Sequence, residues 1–239
     1  MDRREFMSKT LAAGAAVGLA SAPAGAARDK AVRIVGVSCS PRKGKTTATS
    51  VKVALDAAKS VNPRIETELL DLGGLEISGT PGGTTSADLP QIWDDFDVVV
   101  LPKLRDPVPD GLIIGSPCYF RSMSALCKAF LERIAVLREP KLLLADRPVG
   151  VLAVGAYRNG GQELVIEQIQ AAMLCHEALI VGGKPKAHQG ATLWNAYNDD
   201  ITKDDFGVAT AKQLGIRVAE AALRLYGPYV KSDIQTGLK

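Results

Sequence analysis

Short runs of apolar, often β-branched residues alternate along the chain with longer stretches in which apolar residues recur every three or four positions. The short runs predict strands at Val32–Val37, Ile65–Leu72, Gly111–Gly115, Val149–Gly155 and Ala178–Val181. The longer stretches predict a helix that is capped by Thr46 or Thr47 and further helices over Ser124–Leu137, Glu163–Leu174 and Phe206–Tyr226. Strands that alternate with helices favour a parallel sheet with helices on both faces.

An acidic segment and three polar ones complete the pattern. Asp94–Leu104 joins an acidic start, typical of a helix N-terminus, to three consecutive valines, typical of a strand, and we predict a helix. Residues 73–90 are rich in Gly, Thr, Ser and Pro and predict a loop. Residues 183–203 predict an irregular excursion, and we expect residues 227–239 to form a loosely attached tail.

The first 26 residues follow the three-part layout of an export signal. Arg3–Phe6 provides paired arginines, Leu11–Leu19 a short apolar run, and Ala24–Ala26 an A-x-A cleavage site. The paired arginines resemble the twin-arginine type, which predicts an exported, periplasmic protein after removal of residues 1–26. The apolar run is shorter than a bilayer span requires, so we expect no stable membrane segment after cleavage. An ordinary amphipathic first helix is the alternative.

The bulk composition narrows the class of protein. With 239 residues, 46% of them hydrophobic, the chain suits one α/β domain, which we place at residues 27–239. A net charge of +3, scattered basic residues and 5% aromatics give no sign of a nucleic-acid surface. The cysteines, Cys39, Cys118, Cys127 and Cys175, form no C-x-x-C pair and no spacing with histidine that suits zinc, so we expect no metal site.

Three loops of unusual composition follow predicted strands, where open parallel sheets bind ligands. The first, Ser38–Thr47, combines hydroxyls, a glycine and basic side chains with the free N–H groups of a helix N-terminus, which suit a phosphate. It is not a P-loop, because Cys39 stands where that motif needs its first glycine. A polar turn without a ligand is the alternative.

The other two loops suit a flat ring. Gly115–Ser124 carries two adjacent aromatics at a strand end, with Ser122 and Ser124 available to cap the next helix. Gly155–Glu163 has paired glycines that let backbone amides approach a ligand, and Asn159 or Gln162 can supply amide hydrogen bonds. One phosphate loop and two ring loops together describe flavin mononucleotide (FMN).

The sequences S-x-S-P-R-x-G-x-T-T, G-S-P-x-Y-F-x-S-M-S-A and R-N-G-G-Q-E, in this order, resemble the NADPH-dependent FMN reductase branch of the flavodoxin-like superfamily from about Val32 to Tyr226. The resemblance implies a doubly wound five-stranded parallel sheet in the order 2-1-3-4-5. It implies that the FMN phosphate is held by Ser38, Ser40, Arg42, Lys45, Thr46 and Thr47. It implies that the ring is flanked by Pro117, Cys118, Tyr119 and Phe120. It implies that the pyrimidine and N5 edge is met by Tyr157, Arg158, Asn159, Gly160 and Gly161.

The resemblance implies an FMN-dependent oxidoreductase that takes electrons from NADPH or NADH and passes them to a small acceptor or a redox protein. No catalytic side chain is assigned, because the flavin carries the chemistry. Relatives are often dimers or tetramers, so a homodimer or homotetramer is expected by analogy. An exported flavodoxin-like electron carrier is the main alternative, because an exported enzyme meets little NAD(P)H. A cofactor-free binding protein is a third.

The chain departs from its relatives at two places. Some relatives carry a cysteine-rich iron–sulfur segment before the third strand, but residues 73–86 contain no cysteine, so we expect no cluster. Arg121 stands where the family usually has glycine, and its side chain can narrow access to the ring or meet an anionic substrate. The expected strand order also makes Cys39 and Cys118 neighbours at adjacent strand ends, which suggests a disulfide.

Four further residues carry open alternatives. His176 lies next to an apolar predicted strand and is interpreted as structural. His188 lies in a basic loop that can meet a dinucleotide phosphate or a quinone. Trp194 and Tyr197 can cover a flavin, line a subunit interface or close the core.

Overall fold

A computed structural model describes residues 31–80, 93–196 and 198–227. The predicted export signal, residues 81–92, Tyr197 and the tail beyond residue 227 lie outside the described residues. The strands are β1 (Val32–Ser38), β2 (Ile65–Asp71), β3 (Gly111–Pro117), β4 (Pro148–Gly155), β5 (Leu179–Ile180) and β6 (Ala191–Trp194). The α-helices are α1 (Thr46–Lys59), α2 (Leu101–Arg105), α3 (Ala125–Arg133), α4 (Gln162–Leu174) and α5 (Asp205–Tyr226).

The strands pair in parallel in the order β2-β1-β3-β4-β5, which confirms the predicted order. The strands β1, β3 and β4 are buried along almost their whole length, because they are rich in Val, Ile and Leu and are covered on both sides. Ser38 pairs with Gly115, and Pro117 pairs with Val154. The carboxyl ends of these three strands therefore lie next to each other at one edge of the sheet.

The expectation of five strands was incomplete, because part of the predicted excursion at residues 183–203 joins the sheet. Leu179 and Ile180 of β5 pair with the start of β4, whereas β6 pairs in parallel with its end, from Leu152 to Gly155. The outer position beside β4 is thus shared by two short strands. The four residues of β6, Ala-Thr-Leu-Trp, are too few to show a strand period. A short 3₁₀ turn follows at Ile201–Lys203.

The ambiguous segment that begins at Asp94 is helical, as predicted: a π-helical turn at Phe96–Val100 runs into α2. Tertiary contacts override the strand preference of its three valines. The guanidinium of Arg133 on α3 lies 2.7 Å from a carboxylate oxygen of Asp94 and 2.7 Å from one of Asp97. It also lies over the ring of Phe96, at 4.8 Å from the centroid. These contacts fix the segment against α3.

The helix starts were predicted with mixed success. Ser124 caps α3, since its hydroxyl accepts a hydrogen bond of 3.0 Å from the backbone N–H of Cys127. The prediction that Thr46 or Thr47 caps α1 was wrong: Lys45 precedes the helix without a side-chain cap, and both threonines are buried within the first turn.

Two apolar layers lie on the two faces of the sheet. Alternate residues of β1 divide between them: Ile34 faces α1 and α5, whereas Val35 faces the side of α3 and α4. The helices α1 and α5 pack closely at Gly215, which has no side chain. A Cβ atom there would lie 1.9 Å from the carbonyl oxygen of Ala54. Helices therefore cover both faces, as predicted. None of the helices within the described ranges is long and apolar enough to cross a membrane.

His176 lies in the turn between α4 and β5, near the start of β4, at the edge of the sheet opposite the three loops. Its side chain is buried, and Nδ1 has no hydrogen-bond partner. Burial, and secondly the charge of Arg138, lower the pKa of the imidazole from 6.5 to about 4. The position agrees with the structural interpretation of this residue.

The buried histidine predicts a specific dependence of stability on pH. Because the pKa is lower in the folded than in the unfolded protein, the unfolded chain binds the proton first, and stability falls as the pH drops from 6.5 towards 4. Between pH 7.5 and pH 5 the loss amounts to about 2 kcal/mol. Urea unfolding of His176→Gln at both pH values should lack this loss.

The exposed His188 provides the matched control, and His188→Gln should keep the wild-type pH dependence. If His176→Gln loses as much stability between the two pH values as the wild type does, the buried imidazole is not the cause.

Candidate functional site

Three loops meet at the carboxyl edge of the sheet: the first loop, Cys39–Lys45, follows β1, the second, Cys118–Met123, follows β3, and the third, Ala156–Gly161, follows β4. Backbone hydrogen bonds extend the sheet into them. The N–H of Cys39 donates to the carbonyl of Gly115 at 2.8 Å, and that of Cys118 to the carbonyl of Val154 at 2.8 Å. The structure thus brings the predicted site residues together at one edge.

The first loop ends where α1 begins, and its inner side carries buried hydroxyls. Ser38 and Ser40 are buried, and the hydroxyl of Ser38 has no hydrogen-bond partner. The loop turns at Gly44, whose φ of +68° favours glycine and which has open space where a side chain would lie. The N–H of Gly44 donates to a carboxylate oxygen of Asp71 at 2.7 Å. The first N–H groups of α1 have no acceptor within the helix.

The basic side chain of Arg42 has a partner that the sequence did not indicate. Its Nη1 lies 2.9 Å from both carboxylate oxygens of Asp199, and Oδ1 of Asp199 also accepts a hydrogen bond of 3.0 Å from the amide of Asn195. The pKa of Asp199 is lowered by the Asn195 bond first, then by the bond to Arg42, with smaller contributions from the charges of Arg42 and Lys45. Asp199 therefore lies in the positive field of the first loop.

The second and third loops are joined by a thiol. The Sγ of Cys118 donates to the carbonyl oxygen of Gly160 at 3.0 Å, and burial raises the pKa of this thiol. Cys39 is buried with the thiol of Cys127 as its hydrogen-bond partner, and burial raises its pKa well above the ordinary value. All four cysteines are free, so the suggested disulfide between Cys39 and Cys118 is absent. Each thiol faces a different partner.

The second loop is a tight turn that displays an aromatic side chain. Tyr119 and Ser122 exchange backbone hydrogen bonds of 2.9 and 3.0 Å, and between them Phe120 and Arg121 take left-handed φ angles of 50° and 62°. Phe120 is fully exposed. The left-handed φ of Arg121 is a conformation that glycine adopts more readily than other residues. The prediction that Ser122 can cap α3 was wrong, because its hydroxyl donates to the side chain of Gln168 at 2.9 Å.

Gln162 holds the third loop in shape, which corrects the expectation that its amide is available to a ligand. Its Nε2 donates to the carbonyl of Tyr157 at 2.6 Å, and its Oε1 accepts from the N–H of Gly160 at 2.8 Å. Tyr157 and Asn159 are exposed beside it. Gly161 has a φ of +98° and begins α4. The amide of Gln162 is thus used inside the loop.

Arg158 is tied inwards by a buried carboxylate. Its guanidinium forms an ion pair with Asp204 and lies over the rings of Trp194 and Phe206, at 5.2 and 5.8 Å from their centroids. Asp204 also accepts the N–H groups of Trp194, at 2.7 Å, and of Gly207, at 3.1 Å, and so caps α5. Reaching a flavin edge, as the resemblance implied, would require Arg158 to leave this partner.

Asp204 is a positioning residue that the sequence analysis missed. An aspartate directly before a long amphipathic helix is a signal for a cap, which could have identified its contact with α5. Its contact with Arg158 could not be read from the sequence. Trp194 belongs to the same cluster, since its indole N–H donates to the carbonyl of Ala156 at 2.9 Å. Trp194 thus supports the third loop, whereas Tyr197 lies outside the described residues.

The doubly wound parallel sheet and the loops at its carboxyl edge define a flavodoxin-like protein, and solved structures agree. RosB, solved with a bound riboflavin-phosphate intermediate, aligns with a TM-score of 0.65 at 17% identity, over 83% of this chain and 82% of that one. A WrbA-like flavodoxin from Agrobacterium tumefaciens aligns with a TM-score of 0.53 at 16% identity, over 82% and 99%. At these identities the similarity concerns the fold.

Sequence comparison identifies the family. The model of the NADPH-dependent FMN reductase family matches residues 32–192, and the chain belongs to this family. It is an FMN-dependent oxidoreductase. A protein of Methanocaldococcus jannaschii, named an iron–sulfur flavoprotein, is 38% identical over 192 residues, which cover 79% of this chain and 96% of that protein. An iron–sulfur flavoprotein of Methanosarcina thermophila is 32% identical over 185 residues, covering 77% and 93%.

The cluster around Asp204 predicts a large loss of stability on its removal. Asp204→Ala leaves two backbone N–H groups and the Arg158 guanidinium without their acceptor, and should lower the free energy of unfolding by about 3 kcal/mol or more. Asp205→Ala, at the exposed neighbouring carboxylate, should cost about 0.5 kcal/mol or less. Urea unfolding followed by circular dichroism measures the free energy of unfolding of both variants. Equal losses of stability would contradict the role of Asp204 in this cluster.

Proposed function

We propose that this protein holds FMN with its phosphate at the first loop and its ring between the second and third loops, and passes electrons from NADPH or NADH to a small acceptor. One observation carries the placement: the buried hydroxyl of Ser38 has no partner at the point where β1 opens towards the start of α1. A buried polar group without a partner costs stability, so a ligand that completes its hydrogen bonding is favoured.

The phosphate end of the proposed site has suitable chemistry. The N-terminus of α1 offers N–H groups that have no acceptor within the helix and a positive helix dipole, and both attract a phosphate. The hydroxyls of Ser40, Thr46 and Thr47 and the side chain of Lys45 lie around the same turn. The open space at Gly44 lets a phosphate approach the backbone. These features fit the six residues that the resemblance implied.

The ring end offers flat and apolar surfaces. Tyr119, Phe120 and Tyr157 are all exposed at this edge, although exposed aromatic side chains are costly unless a partner covers them. Pro117 and Cys118 form the wall at the end of β3, and the exposed amide side chain of Asn159 can bond the polar edge of a flavin. The raised pKa of Cys118 keeps its thiol protonated, which suits a hydrogen-bond donor and not a nucleophile.

FMN held at these loops would supply the redox chemistry that links a nicotinamide donor to an electron acceptor. The chain's own residues bind and orient. The ion pair of Arg158 with Asp204 and the bonds of Gln162 keep the third loop in one conformation. The exposed turn at Phe120 and Arg121 leaves one side of the site open to a second planar molecule.

The relatives named as iron–sulfur flavoproteins raise the question of a cluster. Such clusters are held by cysteine thiolates, usually four. The whole sequence has no cysteine between Cys39 and Cys118, and in the described part of the chain no three potential ligands come together. The residues present do not fit a cluster, and we propose that FMN is the only redox cofactor.

Export through the twin-arginine route also belongs to this proposal, supported by the layout of residues 1–26. That route carries folded proteins, which suits a protein that acquires FMN before export. A homodimer or homotetramer stays a prediction by analogy with relatives.

The function is tested by an anaerobic titration of purified protein reconstituted with FMN. We expect flavin absorbance that bleaches within seconds when NADPH or NADH is added, recovers when a quinone is added, and is accompanied by no bound iron. Bound flavin that neither nucleotide bleaches would indicate an electron carrier instead. A protein that binds no FMN would contradict both readings.

A further inference from the structure

The turn Asn198–Asp199 lies against the first loop. Both residues have left-handed backbone angles, with φ of 49° and 64°, and the turn carries the carboxylate of Asp199 to the guanidinium of Arg42. Asn195 holds this turn in place. Its side-chain amide donates to the carboxylate of Asp199, and its backbone N–H donates to the carbonyl of Gly155 at 2.8 Å. A carboxylate fixed to the end of β4 thus covers a basic side chain of the first loop.

This carboxylate and a bound phosphate would use the same donor. Nη1 of Arg42 is shared by the two oxygens of Asp199, both at 2.9 Å, and Lys45 adds its charge to the same field. A phosphate dianion at the first loop would either repel the carboxylate at close range or replace it on Arg42. The ion pair is partly exposed, so water can take over the carboxylate when it leaves.

A second carboxylate occupies the same loop in a similar way. Asp71 accepts the N–H of Gly44 at 2.7 Å and that of Gly73 at 3.2 Å. Asp71 lies at the end of β2, however, and its bonds shape the loop backbone. Asp199 bonds a flexible side chain from a turn 157 residues away in sequence, so it can separate from the loop without unfolding it.

We propose that Asp199 determines the affinity and selectivity of the site by competing with the FMN phosphate for Arg42. FMN binding replaces the carboxylate by the phosphate as the partner of Arg42. The competition weakens the binding of phosphorylated flavin and leaves unphosphorylated riboflavin unaffected, so that FMN is exchangeable. The inference rests on the proposed position of the phosphate at the first loop.

The test is flavin binding by the apo-protein, measured through quenching of flavin fluorescence. Asp199→Asn keeps the shape of the side chain and removes its charge, and we expect its Kd for FMN to fall about tenfold, the equivalent of 1.4 kcal/mol. The Kd for riboflavin should not change. Asp200→Asn is the matched control, because this neighbouring carboxylate bonds Thr202 and Lys203 and not the first loop.

A second background isolates the role of Arg42. If Asp199 acts by occupying this side chain, Asp199→Asn should change the Kd for FMN less than about twofold in an Arg42→Ala protein, roughly the scatter expected for residues that no longer interact. A gain that persists without Arg42, an equal gain for riboflavin, or weaker FMN binding in Asp199→Asn would each overturn the inference.

The binding data also separate this inference from the proposed function. FMN bound with equal affinity by wild type and Asp199→Asn would refute the competition and leave the FMN site standing. Failure of every variant to bind FMN would refute both.

Discussion

Parallel pairing of β1 with β3 and of β3 with β4 determines where the chemistry of this protein can lie. The three strands are buried on both faces. A shift in the register of any one of them would expose apolar surface. Their carboxyl ends are therefore fixed side by side, and the three loops that leave them share one edge. Helices on both faces leave that edge as the open side of the sheet.

Polar side chains inside this edge then give each loop its shape. Ser124 connects two loops, because its hydroxyl donates to the carbonyl of Cys39 at 2.6 Å while it caps α3. Cys118 joins the second loop to the third, and Gln162 and Asp204 hold the third from within. Most of the polar side chains in the loops thus serve the protein itself. The hydroxyl of Ser38 is buried without a partner directly before the loop that leads to the N-terminus of α1, and this position is why it indicates a ligand.

The period of apolar residues predicted most elements, because long buried strands and amphipathic helices leave a strong signal. The resemblance to the FMN reductase family implied the strand order, which the structure confirms. The sequence missed β6, since a four-residue strand shows no period and its place beside β4 depends on a distant chain segment. It located the three loops correctly but not their internal bonds. Arg42 pairs with Asp199, 157 positions later, and Arg158 with Asp204, 46 positions later. Such pairs form only after the fold brings them together, so local sequence could not reveal them.

The same limit applies to the thiols. The strand order made Cys39 and Cys118 neighbours, but which way each side chain points depends on the packing of α3 and the third loop. Cys39 turns towards Cys127 and Cys118 towards Gly160.

FMN is proposed to supply the missing hydrogen-bond partner of the buried Ser38 hydroxyl at the end of β1. Two measurements on Ser38→Ala test this directly. Removing a buried hydroxyl that has no partner should leave the apo-protein equally stable or more stable towards urea, yet raise the Kd for FMN about five- to tenfold, the effect of one lost hydrogen bond. Ser60→Ala, at the far end of α1, should leave FMN binding unchanged. Unchanged FMN binding in Ser38→Ala would contradict the account, because the phosphate would then not lie where β1 meets α1.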